Sequence, residues 1–402
     1  MNVLFEPSAA KGAAAAPPSK SMAHRLLVAA ALCEDQSEID AVSLSDDVAA
    51  TIRCLRMIGV GIDVVGEACR VRGIDFRRAK PCGVLDCGEC GSTLRFLLPL
   101  CMLSGEAFRL TGSSRLLSRP LGVYETLCRD RGIFFENNGN TITVQGTLTG
   151  GEYAVPGNIS SQFITGLLFA LPLLPTDSEI RLLDAVESRP YIDMTCSVLA
   201  DAGIVVEQPD EHTMRIPGCQ SYGALRKIVE GDWSNAAFLF ALDAIGGDVA
   251  VKGLQNDSLQ GDKVCISMFE QLKCGRPRLD ISDCPDLGPV LMVVAAACKG
   301  AVLTGTRRLR LKESDRGVAM AEELEKFGVR TVIAENEIKV GAGLRAPTSA
   351  VCGHTDHRIA MALSVVLTRT GGLLTDAESV NKSWPAFFET MKELGVNCRN
   401  EA

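Results

Sequence analysis

The hydrophobic pattern of this chain alternates between two kinds of helix. One kind is apolar on every side and follows a short loop bearing a small or acidic residue. Ser21 precedes His24-Arg25-Leu26-Leu27-Val28, Gly91 precedes Leu94-Arg95-Phe96-Leu97-Leu98, and Ser161 precedes Phe163 to Leu171. The junction returns at Ser234, Asp286 and Asp356, so it recurs roughly every 70 residues, with one shortened interval after Ser234. The other kind is amphipathic, as in Val48, Ile52, Leu55 and Ile58, and ends in a glycine suited to a left-handed cap: Gly59, Gly132, Gly203, Gly328 and Gly395. Hairpins follow most of these glycines, the clearest being Ile133 to Val144 around Asn137-Asn138-Gly139-Asn140; Val329 to Val340 is another.

Each repeat therefore reads strand, apolar helix, strand, amphipathic helix, strand, strand. Helices without a polar face belong inside, so the sheets lie outside them. The predicted fold class is α/β, a two-domain inside-out α/β barrel. Each domain has three βαβαββ units, with buried helices and outward sheets. The fourth unit, ending at Gly275 without a clear hairpin, is trimmed. Chain crossings near Lys11 to Pro18 and Gly223 to Gly231 divide the chain into domain I, residues 1–18 plus 230–402, and domain II, residues 19–229. The first strand, Asn2 to Phe5, then belongs with the C-terminal half.

Length agrees with two cores, since 402 residues exceed what one usually holds. The longest apolar run, Leu287 to Cys298, is too short to span a membrane and contains Pro289. No basic-then-apolar leader is read at the N-terminus, and a cytoplasmic location is expected. The 16 cysteines are scattered through apolar surroundings and read as reduced thiols. Cys87-x-x-Cys90 has metal-like spacing, but no second pair or histidine cluster completes it, so no metal is expected. A net charge of −8 argues against nucleic acid as a partner. It also requires that any anion site gather its cations locally.

The junctions carry such cations. A helix N-terminus offers unpaired N–H groups and partial positive charge, so six of them suggest a ligand with several negative charges. Pro18-Ser19-Lys20-Ser21 places a lysine at a helix start, which is unfavourable unless an anion sits there, with Arg25 one turn further in. Gly91-Ser92-Thr93-Leu94-Arg95 repeats the design, and Asn158-Ile159-Ser160-Ser161-Gln162 adds neutral donors. Arg115, Arg119-Pro120 and Ser188-Arg189-Pro190-Tyr191 read as loops. In the second half, Asp286, Lys312-Glu313-Ser314-Asp315-Arg316 and Asp356-His357-Arg358 set carboxylates beside cations, the arrangement general acid–base catalysis on an anion needs.

These motifs, with Lys382-Ser383-Trp384-Pro385, resemble those of the 5-enolpyruvylshikimate-3-phosphate synthases (3-phosphoshikimate 1-carboxyvinyltransferases) from about Val3 to Gly395. The resemblance implies transfer of the enolpyruvyl group of phosphoenolpyruvate to the 5-hydroxyl of shikimate 3-phosphate, with release of phosphate and no cofactor. It implies shikimate 3-phosphate contacts from Lys20, Ser21, Arg25, Ser160, Ser161, Gln162, Ser188, Tyr191, Asp286 and Lys312. Phosphoenolpyruvate contacts would come from Lys20, Gly91, Arg119, Gln162, Arg316, Arg358 and Lys382. Asp286 would be the base at the 5-hydroxyl and Glu313 the acid at the methylene carbon, with Lys20 and His357 assisting proton transfer or phosphate departure. The site would lie in the interdomain cleft of a monomer, and glyphosate is the family's inhibitor. Glu89 and Arg308 depart from the pattern, each standing where many relatives have Asn. Two other readings share parts of this pattern. They are the related UDP-N-acetylglucosamine 1-carboxyvinyltransferase, which usually uses a loop cysteine as acid, and a non-catalytic anion-binding repeat protein, which has no need for Asp286 and Glu313 together.

Overall fold

Six apolar helices form the centres of two units, three in each: α1 (Lys20–Ala31), α2 (Gly91–Cys101), α3 (Ser161–Ala170), α4 (Trp233–Ala244), α5 (Gly288–Ala297) and α6 (His357–Thr370). The computed structural model describes residues 1–401. These residues divide into two compact units, Lys20–Glu230 around α1–α3, and Met1–Ser19 with Gly231–Ala402 around α4–α6. Apolar residues on all sides of these helices leave them no face for water. In α5 every residue from Gly288 to Ala296 is buried, as is every residue of α6 from His357 to Thr368.

Each repeat lays its own sheet outside its helix. The strand before the central helix pairs parallel with the strand after it, and the hairpin strands add antiparallel, giving the order 84–86, 108–111, 141–145, 134–137 in the second repeat. The fifth repeat has the same order, 278–280, 301–304, 337–340, 331–333. In the sixth, the order is 351–352, 372–375, 2–5, 398–401, so strands from both chain ends complete one sheet. The first and fourth repeats exchange their leading strands. Lys11–Ala15 pairs with Asp248–Lys252, and Arg226–Ile228 pairs with Gln36–Asp40. Each chain crossing thus contributes a strand to the sheet of the other repeat.

The repeat is imperfect where its sequence is. After Gly203 the hairpin shrinks to the strand Thr213–Ile216 and a single bridge between Glu207 and Arg215. In the fourth repeat no hairpin forms, and Gly275 is extended (φ −167°), unlike the left-handed Gly59 that caps Asp46–Ile58 (φ 112°).

Pro99 sits inside α2 and has no N–H, which leaves the Arg95 carbonyl without its helical donor. The Tyr124 hydroxyl replaces it at 2.7 Å from a fully buried position. Gly166 of α3 makes room for this contact, since a Cβ there would lie 2.3 Å from the Arg95 oxygen and 2.5 Å from the Tyr124 hydroxyl. Burial pushes the Tyr124 phenol well above its usual range and keeps it a donor. Tyr124→Phe, which orphans the carbonyl, is expected to cost about 1–3 kcal/mol in urea unfolding. An unchanged midpoint would show that another donor serves Arg95.

Candidate active site

In the unit Lys20–Glu230, the N-termini of α1, α2 and α3 carry the polar residues of the sequence motifs. Lys20 opens α1, and its Nζ lies 2.7 Å from Asp47 Oδ2. Asp47 lies in the first turn of Asp46–Ile58, capped by Ser45. Arg25 is buried and donates to Ser21 O (2.7 Å), Thr195 Oγ1 (2.9 Å) and Tyr191 O (2.9 Å). Burial lowers its pKa to about 10. Its guanidinium thereby ties α1 to Arg189–Asp201, the helix that begins after Ser188.

At α2, Arg95 Nη1 donates to Gln162 Oε1 (3.0 Å), and Gln162 Nε2 donates to Ser92 Oγ (3.0 Å). This ring joins the starts of α2 and α3. A methyl at Gly91 would sit 2.7 Å from Arg95 Nη1 and 2.9 Å from Arg119 Nη1. Two guanidinium groups therefore converge on the bare backbone of a helix start, where an anion offsets both their repulsion and the helix dipole. Ser160 caps α3, accepting from Gln162 N at 3.3 Å, and Ser161 is buried beside it.

Two readings of this region change. Arg119 lies in a bend, as the loop reading has it, directly after the short helix Ser114–Ser118, but it is buried and not a surface arginine. Ser188 does not lead a loop; it is a buried N-cap position held at φ 58°, left-handed backbone that a serine adopts only under constraint, with Tyr191 in the first helical turn.

In the other unit the junctions gather around one side chain. Arg316, only 1% exposed, donates from Nη1 to Asp286 Oδ1 (2.7 Å), from Nη2 to Glu313 Oε2 (2.8 Å) and from Nε to Asp356 Oδ2 (2.8 Å). Lys312 Nζ lies 2.9 Å from Asp286 Oδ1, and Arg358 Nη2 lies 3.6 Å from Asp286 Oδ2. Asp356 also caps α6 by accepting from Arg358 N, and receives Ser314 Oγ at 3.1 Å. His357 is buried next to it, its Nδ1 4.0 Å from Asp356 Oδ1. Lys382 donates to the Thr355 carbonyl just before this cap.

Burial alone would raise the Asp286 carboxyl, but Lys312, Arg316 and Arg358 together hold it well below the usual carboxylate range. Burial lowers the Lys312 ammonium despite the opposing pull of Asp286. The arrangement can therefore present an ionised carboxylate, an adjacent carboxyl and several cations to an anionic reactant. Asp47, Arg95 and Asn235 enter these clusters without having been assigned a ligand from sequence. Asn235 accepts from Arg358 Nη1 (3.5 Å) and Ser383 Oγ (3.4 Å). The acidic pair Asp46-Asp47 after Ser45 was the available signal for the first. Glu89 is half-buried and Arg308 buried.

The chain matches the family model described as EPSP synthase (3-phosphoshikimate 1-carboxyvinyltransferase) over residues 5–276 and 276–391. It is 36% identical over 425 residues to the 3-phosphoshikimate 1-carboxyvinyltransferase of Clostridium perfringens strain ATCC 13124, covering 99% of each chain. It is 38% identical over 419 residues to that of Clostridium botulinum strain Alaska E43, covering 97% of this chain and 96% of the other. Among solved structures, EPSP synthase from Acinetobacter baumannii superposes with a TM-score of 0.81 at 22% identity, covering 99% of both chains. The enolpyruvyl transferase NikO from Streptomyces tendae gives 0.77 at 15% identity, covering 99% and 98%. These two likenesses bear on the fold, which is the two-domain α/β fold read from the repeats.

Asp262, on the turn Gly261–Val264, supplies a pH test of the second cluster. Burial, then repulsion from Asp286, raises its pKa from 3.8 to about 6. Folding therefore binds a proton in that window, and stability falls as pH rises from about 4 to 6. Asp262→Asn removes the penalty. It is expected to stabilise the protein by about 1–3 kcal/mol at pH 7 and by nothing below about pH 4, read from urea midpoints at both values.

Proposed function

The chain belongs to the EPSP synthase family and is a 3-phosphoshikimate 1-carboxyvinyltransferase, and from that premise we propose how its residues divide the reaction. Domain II, residues 19–229, supplies anion contacts, and domain I, residues 1–18 plus 230–402, supplies acid and base along with further cations. Lys20, Ser21, Arg25, Ser160, Ser161, Gln162, Ser188, Tyr191, Asp286 and Lys312 hold shikimate 3-phosphate. Lys20, Gly91, Arg119, Gln162, Arg316, Arg358 and Lys382 hold phosphoenolpyruvate. The convergence of Arg95 and Arg119 on Gly91 supports the second set, because paired guanidinium forks match carboxylate and phosphate oxygens.

The observation that carries the acid–base assignment is the shared grip of Arg316 on Asp286 and Glu313. Asp286, kept ionised by its three cations, accepts the 5-hydroxyl proton as that oxygen attacks C2 of phosphoenolpyruvate. Glu313 delivers a proton to the methylene carbon, giving a tetrahedral intermediate. A methyl proton then returns to the Glu313 carboxylate, the double bond re-forms as the C2–O bond to phosphate breaks, and phosphate departs with assistance from Lys20 and His357. The cations that hold Asp286 low also disfavour a protonated Glu313. Substrate phosphate and carboxylate groups offset them, drawing Lys312, Arg316 and Arg358 into new pairs. A monomer carries every group named and acts in the cytoplasm on these two small molecules, and it belongs to the family that glyphosate inhibits.

Asp286→Asn and Glu313→Gln are expected to lower kcat by about 10²–10⁴ while shikimate 3-phosphate still binds by calorimetry. Unchanged rates in both variants would discard these roles. Gly91→Ala pushes against the Arg95 and Arg119 guanidiniums. It is expected to raise the KM for phosphoenolpyruvate by about tenfold while the KM for shikimate 3-phosphate moves little. Equal changes in both would place Gly91 outside the phosphoenolpyruvate pocket.

A further inference from the structure

Below Lys20, three side chains converge that the proposed reaction uses as neither acid, base nor substrate contact. His24 lies one turn along α1 from Lys20, on the same face. Cys90 is the N-cap of α2, and Asp47 is in the first turn of Asp46–Ile58. Their exposures are 1%, 2% and 7%. Cys90 Sγ lies 3.7 Å from His24 Nε2, and the nitrogen, sulfur and carboxylate oxygen all lie within 4.8 Å of one another. Zinc bond lengths of about 2.0–2.3 Å set tetrahedral ligand atoms roughly 3.5 Å apart, so the S–N pair is already at that spacing.

We propose that His24, Asp47 and Cys90 form an inhibitory binding site for a borderline-soft divalent cation, zinc foremost, whose occupancy takes Asp47 away from Lys20. The donor set of imidazole, thiolate and carboxylate is the one such ions select. The cysteine spacing noted in the sequence is not what makes it. Cys87 Sγ donates to the Leu85 carbonyl (3.8 Å), and the partners of Cys90 come from two other helices.

The surroundings of each ligand support coordination. His24 Nδ1 lies 2.8 Å from Thr51 Oγ1, which lies 2.6 Å from Thr93 Oγ1. With Nδ1 donating into this chain, the ring is fixed and the Nε2 lone pair faces Cys90, the outer contact that ligating histidines make. Cys90 Sγ accepts from Thr93 N at 3.4 Å at a helix start that favours a thiolate. The thiol gives up its proton as the cation arrives. The S–H bond breaks, the S–metal bond forms, the proton passes to solvent, and nothing is oxidised or reduced. Three protein ligands leave a fourth position for water.

Asp47 Oδ2 is the atom that holds Lys20 Nζ. A coordinated dication uses that carboxylate and repels the ammonium, displacing Lys20 from the start of α1. The loss of activity rests on the role proposed for Lys20, whereas binding does not.

The test uses the full chain, stripped by chelator and titrated with cobalt(II) as a spectroscopic substitute for zinc, alongside Cys90→Ser and His24→Asn. Cys90→Ser keeps an acceptor for Thr93 N–H. Wild type is expected to bind one equivalent with thiolate-to-cobalt charge-transfer absorption, which both variants lose. Zinc is expected to inhibit phosphate release reversibly by chelator, with Cys90→Ser about tenfold or more less sensitive. The site is overturned if wild type shows no such absorption, or if Cys90→Ser keeps it through the exposed Cys82, Cys219 or Cys274. Equal zinc sensitivity of wild type and Cys90→Ser overturns the inhibitory role. Failure of metal-free wild type to release phosphate would count against the proposed reaction, not against the cobalt result.

Discussion

A buried guanidinium cannot stand alone in a protein core, and the arrangement around α4–α6 follows from how Arg316 meets that constraint. Removing an ion from water costs several kcal/mol, recovered only when its donors are matched to acceptors. Arg316 meets Asp286 before α5, Glu313 in its own loop and Asp356 at the cap of α6. One side chain therefore ties two central helices to the loop that precedes Arg316–Lys326. Lysine could not replace it, because a single ammonium lacks the planar fork that reaches three carboxylates. The residues assigned to acid–base chemistry are thus held by the same contacts that stabilise the unit.

The unit around α1–α3 uses a different device. Its helix starts project N–H groups and partial positive charge, and the side chains added there are largely cationic or neutral donors. The Arg95–Gln162–Ser92 ring joins two of these starts, and Arg25 fastens the third to Arg189–Asp201. Pro99 and Tyr124 extend the pattern inward, since the carbonyl freed by the proline belongs to Arg95 itself. The backbone under the Arg95 guanidinium is consequently anchored in the core. A helix bundle with its polar ends aligned gives both a dry interior and a charged rim, without the chain carrying net positive charge overall.

Local signals wrote the repeat into the sequence. Apolar runs without a polar face, glycine caps and Asn-Gly turns each depend on neighbours a few residues away, and the elements formed where those signals stood. The loss of the hairpin after Gly275 was legible for the same reason. Long-range pairings were not. Nothing near Asp47 says that its carboxylate meets Lys20, and nothing near Tyr124 says that its hydroxyl serves a carbonyl left bare by Pro99. The loop around Arg119 does not say that its side chain is buried, because burial depends on what folds over it. His24 and Cys90 lie 66 residues apart, so a spacing rule applied to Cys87 and Cys90 could not join them.

The most direct measurement of the central claim is phosphate release from phosphoenolpyruvate by the purified chain, with shikimate 3-phosphate or UDP-N-acetylglucosamine as acceptor. The expected result is turnover with shikimate 3-phosphate and none with the nucleotide sugar. Turnover with the nucleotide sugar alone, or none with either acceptor, would contradict the assignment of these helix ends and carboxylates to a single enolpyruvyl transfer.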